Sequence, residues 1–232
     1  MLIDCCAYIR DCQYSGDGES VRVTLVCDRV IDFLPGQFVF VTIPHRVRAN
    51  GKPLSNPYSI ASLPSQMISD QTLTLGIKRE GEGGVSDRFV RMAAIGDEVH
   101  LRMPLGHFGL QSSRPAVFLA TGSGLAPIRA LYHAHPQKSD SYFLYGERTQ
   151  DALYPFLRSF FEDNPTKKKR LCLSREVGDG PWWSQGRISD FLDALDVTSE
   201  TERYVCGSRP VVQSLKNLIV QRGGSHILTE AW

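Results

Sequence analysis

The stretch Ala116-Val117-Phe118-Leu119-Ala120-Thr121-Gly122-Ser123-Gly124-Leu125-Ala126-Pro127 decides how this chain folds. Ala116–Ala120 is an unbroken apolar run bounded by turn residues, the pattern of a strand buried on both faces of a parallel sheet. Glycines then let the backbone turn sharply, and Pro127 suits the first turn of a helix. A glycine turn between a strand and a helix leaves backbone amides and the positive end of the helix dipole facing outward, where an anion is favoured. Thr121, Gly122 and Gly124 are therefore candidate contacts for a nucleotide phosphate, with a plain tight turn as the alternative.

Downstream of this loop the rhythm of strand and helix continues. Tyr142–Tyr145, Leu171–Leu173, Tyr204–Cys206 and His226–Leu228 read as further strands, with helices over Pro127–Ala134 and Leu153–Phe161. Upstream the texture differs. Val21–Val26, Gln37–Ile43, Thr72–Ile77 and Glu98–Met103 are short apolar runs broken by Gly and Pro, as in a small antiparallel barrel. One helix interrupts them at Asp87–Ala94, with Ser86 as its expected N-cap. The expectation is two domains: an N-terminal antiparallel β-barrel over 1–111, then an α/β parallel-sheet nucleotide-binding domain over 112–232.

Composition excludes several function classes. The 232 residues are 42% apolar and carry a formal charge of +1, so no overall field attracts nucleic acid or anionic lipid. No stretch approaches the ~18 apolar residues of a membrane span. The first twelve residues, MLIDCCAYIRDC, carry charges at Asp4 and Arg10 and no apolar leader core, so a cytoplasmic location is expected. The six cysteines are scattered and match neither metal nor iron–sulfur spacings. Reduced thiols and no metal site are the expectation.

The barrel half carries its own chemistry. In Asn56-Pro57-Tyr58-Ser59 the Tyr58 ring offers a stacking face, and the Ser59 hydroxyl can donate or accept a hydrogen bond. Gly81-Glu82-Gly83-Gly84-Val85-Ser86 precedes the expected helix and supplies a second cradle of amides with a serine hydroxyl. Two cradles in two halves imply two nucleotides. At the other end Glu230-Ala231-Trp232 places a carboxylate two residues before a terminal aromatic. Chain ends usually fray, so this is either a functional tail or a tryptophan packed on the core.

The order of Pro-Tyr-Ser, Gly-Gly-Val-Ser, Gly96-Asp97, Pro104–Phe108, the Thr121–Pro127 loop, Tyr145–Glu147, Cys206-Gly207 and a terminal aromatic resembles the ferredoxin–NADP reductase family across nearly the whole chain. The resemblance implies FAD held mainly by the barrel and a pyridine nucleotide held by the second domain. Pro57 and Tyr58 would lie against the isoalloxazine, Ser59 near its N5, and Gly84, Val85 and Ser86 on flavin phosphate. Cys206, with Gly207, would sit near the nicotinamide, Glu230 would complete a polar relay with Ser59, and Trp232 would cover the other flavin face. Ser59, Cys206, Glu230 and Trp232 are thus the expected catalytic set.

One position departs from the family. Asn56 stands where an arginine is usual, three residues before the serine, and cannot supply a positive charge to a flavin pyrophosphate. Either Arg79, Lys52 or another basic group compensates, or flavin is held more weakly, which keeps FMN and an exchangeable flavin in view. Ser174, Arg175 and Arg187 suit a ribose 2′-phosphate, so NADPH is expected, with NADH possible. Trp182 and Trp183 occupy the connecting loop and either flank the adenosine or pack that loop. For docking an acidic one-electron carrier, Lys167–Arg170 and the group Arg46, Arg48 and Lys52 are the basic candidates, solvated surface being the other reading. The expected activity is an NADPH-dependent reductase passing single electrons to ferredoxin or flavodoxin, as a monomer. The alternatives are a reductase of free flavin and a non-catalytic electron-transfer subunit of a larger complex.

Overall fold

The computed structural model describes residues 2–162 and 168–232. In the first half the strands are β1 (Ile3–Tyr14), β2 (Ser20–Cys27), β3 (Phe38–Val47), β4 (Pro53–Ser59), β5 (Thr72–Lys78) and β6 (Glu98–Leu105). Helix α1 (Pro64–Asp70) precedes β5, and α2 (Val85–Met92) joins β5 to β6. The strands form one antiparallel sheet in the order β4-β3-β6-β1-β2-β5. Its two ends approach each other where Ile60, just past β4, bridges Leu75 of β5, so the sheet curls into a half-barrel. Alternation drives this curl: Val21, Val23 and Leu25 of β2, and Leu73, Leu75 and Ile77 of β5, are fully buried on one shared core. Each such side chain contributes roughly 1.5–3 kcal/mol by leaving water.

The second half begins with β7 (Val117–Thr121), a 3₁₀ turn at Gly122–Gly124 and α3 (Leu125–Ala134). It continues through β8 (Tyr142–Glu147), α4 (Pro155–Glu162), β9 (Lys169–Leu173), β10 (Trp183–Gln185), a 3₁₀ segment at Ile188–Ala194, β11 (Arg203–Gly207), α5 (Arg209–Gln221) and β12 (Ile227–Ala231). All pairings are parallel in the order β10-β9-β8-β7-β11-β12. Successive strands step outward from β7 to β10, and then the chain returns to the other side of β7. The direction therefore reverses between β7 and β11, and in open parallel sheets ligands bind outside the strand ends at such a point. Core residues line both faces, Phe118, Tyr145 and Tyr204 on one and Leu119, Leu144 and Val205 on the other.

The two sheets are joined by specific contacts. The Asp17 amide donates to the Asp151 carbonyl at 2.9 Å, and Arg129 Nη1 donates to the Ala61 carbonyl at 3.3 Å. Gly36, at φ +91°, lies so close to Phe108 that a Cβ there would meet its carbonyl oxygen at 2.0 Å. Among the described residues no helix is long and apolar enough to cross a membrane.

The structure adds elements that the apolar runs do not mark. Cys5, Ala7 and Ile9 point β1 into the core while charged and polar residues alternate outward. Pro57-Tyr58-Ser59 forms the end of strand β4. Trp183 is not in a loop but opens the short edge strand β10.

Candidate active site

A cleft of about 320 Å³ runs between the two sheets. Its walls come from Asn56–Ser59 of β4, Gly76 and Lys78 of β5, Ser86 of α2, Ser123 in the glycine turn, Arg209 at the start of α5, and Ala231-Trp232 at the chain end. The tail is thus ordered by pairing: β12 lies parallel to β11, with Glu230 opposite Cys206 and Ala231 opposite Gly207. The Trp232 amide donates to the Gly207 carbonyl and the Arg209 amide donates to the Trp232 carbonyl, each at 3.3 Å. Main-chain bonds hold the last residue, and its indole Nε1 has no protein partner.

Tyr58 is braced edge-on by Phe89 of α2, with ring centroids 6.4 Å apart at 79°. Burial pushes its phenol above the ordinary range. Pro57 is exposed, whereas Ser59 is buried. Beside them the carboxyl of Glu230 is pushed up to about 7 by burial. It therefore keeps a proton at pH values where an ordinary carboxyl is ionised. The Cys206 thiol is raised first by burial and next by the Glu230 carboxylate, so it stays protonated and is no nucleophile at pH 7.

Four buried polar atoms in this region, Tyr58 Oη, Ser59 Oγ, Glu230 Oε2 and Trp232 Nε1, have no hydrogen-bond partner in the protein. Each orphan costs ~1–3 kcal/mol, so four in one neighbourhood fit a ligand that satisfies them. The set combines two aromatic rings, a hydroxyl and a carboxyl, which suits a flat heteroaromatic group with polar edges.

The phosphate cradles are built differently from each other. Gly84 is the extended N-cap of α2, so Val85 and Ser86 lie inside the first turn and Ser86 is not the expected cap. Its Oγ instead accepts from the Glu80 amide at 3.0 Å, leaving the hydroxyl hydrogen to donate. Gly81 and Gly83 hold φ of +70° and +72° with open space around them. In the second cradle Gly122 sits at φ +53°, but Gly124 has an ordinary helical φ of −60°. Gly124 is needed for closeness: a Cβ would meet the Cys206 carbonyl oxygen at 2.3 Å. Likewise a Cβ on Gly207 would meet Thr121 Oγ1 at 2.2 Å, so the loop and the end of β11 pack backbone to backbone. Thr121, Gly122, Gly124, Cys206 and Gly207 are accordingly brought together.

Ser174, Arg175 and Arg187 are exposed. The Ser174 and Arg175 amides donate to the Glu147 and Arg148 carbonyls at 3.0 and 2.9 Å, which sets their loop against the end of β8. Among the described residues neither the Arg175 nor the Arg187 guanidinium has a carboxylate within 4.0 Å, although the Arg187 amide donates to Asp190 Oδ2 at 2.8 Å.

A half-buried ion pair that the sequence does not advertise crosses between the sheets. Lys78 Nζ lies 3.3 Å from Glu147, whose side chain is only 5% exposed. Tyr145 Oη donates to Glu147 Oε2 at 3.2 Å, and the Arg148 amide donates to Oε1 at 3.0 Å. Arg209 is the other wall residue that no motif marked. The basic run is mostly engaged: Lys168 pairs with Asp140, Lys169 covers the Phe160 ring, and Arg170 bonds Ser184 over the Phe191 ring. Lys167 lies outside the described residues. A broader groove of about 980 Å³, on another part of the half-barrel, is lined by Phe40, His100, Arg102 and Leu105 among others, and of the residues singled out in the sequence Arg48 and Lys52 contribute to it. Beside it Cys6, Glu98 and His100 place one potential ligand atom each within 4.8 Å of one another, with Glu98 and His100 exposed and already bonded at 2.8 Å.

Residues 9–109 match the family described as the oxidoreductase FAD-binding domain. The toluate 1,2-dioxygenase electron transfer component of Pseudomonas putida is 27% identical over 198 residues, covering 82% of this chain and 55% of that protein. The chain thus spans only about half the length of that relative. Among solved structures, a cytochrome P450 reductase from Amycolatopsis superposes with a TM-score of 0.82 at 23% identity, over 99% of this chain and 70% of the other. A ferredoxin NADP+ reductase from Neisseria gonorrhoeae, solved with FAD and NADP bound, gives 0.76 at 17% identity, over 99% and 98%. These likenesses establish the same two-domain fold.

Proposed function

We propose that the chain, matched at residues 9–109 by the oxidoreductase FAD-binding domain family, is a ferredoxin–NADP reductase-like oxidoreductase that takes hydride from NADPH onto FAD and passes electrons singly to a ferredoxin or flavodoxin. The observation that carries this reading is the cluster of unpartnered polar atoms on Tyr58, Ser59, Glu230 and Trp232 beside one interdomain cleft. In this reading residues 1–111 hold the flavin and 112–232 the nicotinamide nucleotide. When bound, FAD supplies the conversion between two-electron and one-electron transfer.

The residues present divide the remaining work. Tyr58, backed by Phe89, and Trp232 give flat walls that orient a ring system and exclude water. Ser59 donates its hydroxyl hydrogen to the ring edge, and Glu230, poised near neutrality, holds or releases a proton at Oε2. Amides of Gly84, Val85 and Ser86 bind flavin phosphate, and those of Gly122 and Gly124 the nicotinamide pyrophosphate. Cys206, a small protonated thiol beside Glu230, lines the place where the nicotinamide stacks. Ser174, Arg175 and Arg187, exposed and with neither guanidinium in an ion pair, select the 2′-phosphate of NADPH over NADH.

Asn56 favours a second reading, in which flavin is held loosely and reduced as a substrate. The two separate in one assay on desalted protein, with NADPH as donor and a one-electron acceptor such as ferredoxin. The proposed reductase turns over without added flavin. Turnover that appears only when free flavin is supplied, and follows its concentration, would reject the first reading in favour of the second.

A further inference from the structure

The cleft presents amides to a phosphate, but on its half-barrel wall, away from Arg209 at the start of α5, the nearest cations are already engaged. Arg79, just past β5 and before the Gly81–Gly84 loop, is shared among Glu19, Glu82 and Asp87. Lys78 belongs to Glu147. Asn56, which points into the same wall as Tyr58 by the two-residue period of β4, is neutral. A diphosphate group brought to this wall would therefore meet dipoles without a matching charge.

One guanidinium, which itself lines the broader groove, meets this wall from the neighbouring strand through Asn56. The ladder between β3 and β4 passes from Thr42 opposite Ser55 to Val47 opposite Pro53, so four residues of β3 face a single residue of β4. That bulge, with His45 at φ +57°, curls the end of β3 back over β4. Arg48 follows it, and its Nη2 donates to both Asn56 Oδ1 and the Ser55 carbonyl at 2.5 Å. Among the described residues no carboxylate lies within ion-pair distance of Arg48, and a guanidinium carries five N–H donors, so most remain for another ligand. Its charge is felt at Tyr58, whose phenol it eases downward against the larger effect of burial.

We propose that Arg48, seated on Asn56, is the cation that binds the flavin's phosphate groups in this protein. The proposal rests on the reading of the cleft as a flavin site and adds the residue that selects phosphorylated flavin. Asn56 is then a positioning residue: its carboxamide oxygen holds a guanidinium supplied by the adjacent strand. Arg48 is accordingly a binding residue rather than part of a surface patch with Arg46 and Lys52.

The test is equilibrium binding of FAD, FMN and riboflavin to flavin-free protein, followed by flavin fluorescence. Wild type, Arg48→Gln, and the double variant Arg48→Gln with Asn56→Arg are compared. A charge-assisted contact of this kind corresponds to about tenfold or more in affinity. Arg48→Gln should lose about that much for FAD and FMN while leaving riboflavin unchanged, and the double variant should regain most of the loss. Equal FAD binding by wild type and Arg48→Gln overturns the assignment, as does a parallel loss of riboflavin, which marks a structural effect. A wild-type protein that binds no flavin overturns the flavin reading itself.

Discussion

Glu230 and Trp232 carry the most consequential single-residue chemistry. A carboxyl raised from 4.5 to about 7 binds its proton more tightly in the folded than in the unfolded chain. Its contribution to stability is therefore intact below about 4.5 and is lost as pH rises through 7. Calorimetry of the flavin-free protein at pH 5 and pH 8 should show Glu230→Gln raising the melting temperature more at pH 8. An equal effect at both would contradict the buried, protonated carboxyl. At Trp232 the backbone is pinned to Gly207 and Arg209 while the indole is unpartnered, so the ring can swing without unravelling β12. If that ring competes with the nicotinamide, Trp232→Ala should tighten NADP+ binding and slow its release in stopped flow; unchanged rates would remove the gate. Tyr58, Ser59 and Glu230 were legible as residues because their chemistry stands out against strand context. The pairing of Arg48 with Asn56 was not, since a bulge in a different strand brings them together.

Among the elements, the glycine turn and β11 form the tightest joint. Gly124 and Gly122 look alike in the sequence but do different work. Alanine at 124 pushes a methyl into the Cys206 carbonyl, against backbone that cannot yield cheaply, whereas alanine at 122 meets only an unfavourable φ. Urea unfolding should give a loss of about 2–3 kcal/mol for Gly124→Ala and about 1 kcal/mol for Gly122→Ala. The reverse order would mean that turn conformation, not close approach, governs the loop. The strands of the parallel sheet were readable because burial on both faces makes them continuous apolar runs. Strand β1 escaped because its inward positions are Cys5, Ala7 and Ile9, alternating with charged and polar residues that break any run. Within Lys168–Arg170 the sequence shows the charges but not their partners: Lys169 and Arg170, in β9, pack on Phe160, Ser184 and Phe191, and Lys168 pairs with Asp140.

At the scale of the whole molecule, the seam between the two sheets decides whether the cleft keeps its shape. Lys78 and Glu147 cross it, and removing the lysine leaves a nearly buried carboxylate with only Tyr145 and an amide for company. Lys78→Met should cost about 2 kcal/mol, less than the ~3–5 kcal/mol of a fully buried pair because Lys78 retains some water. Hydrogen exchange should rise at β5 and at the end of β8 together; a change confined to one sheet would mean that the pair does not couple them. Order along the chain made the architecture legible, while this seam, formed by residues 69 apart, was visible only in three dimensions. The most direct test of the account is an anaerobic titration of the FAD-reconstituted protein with NADPH, followed by visible absorbance, with NADH as the control. The account predicts stoichiometric bleaching of bound flavin at lower NADPH than NADH. Flavin that binds but is bleached by neither nucleotide would contradict it.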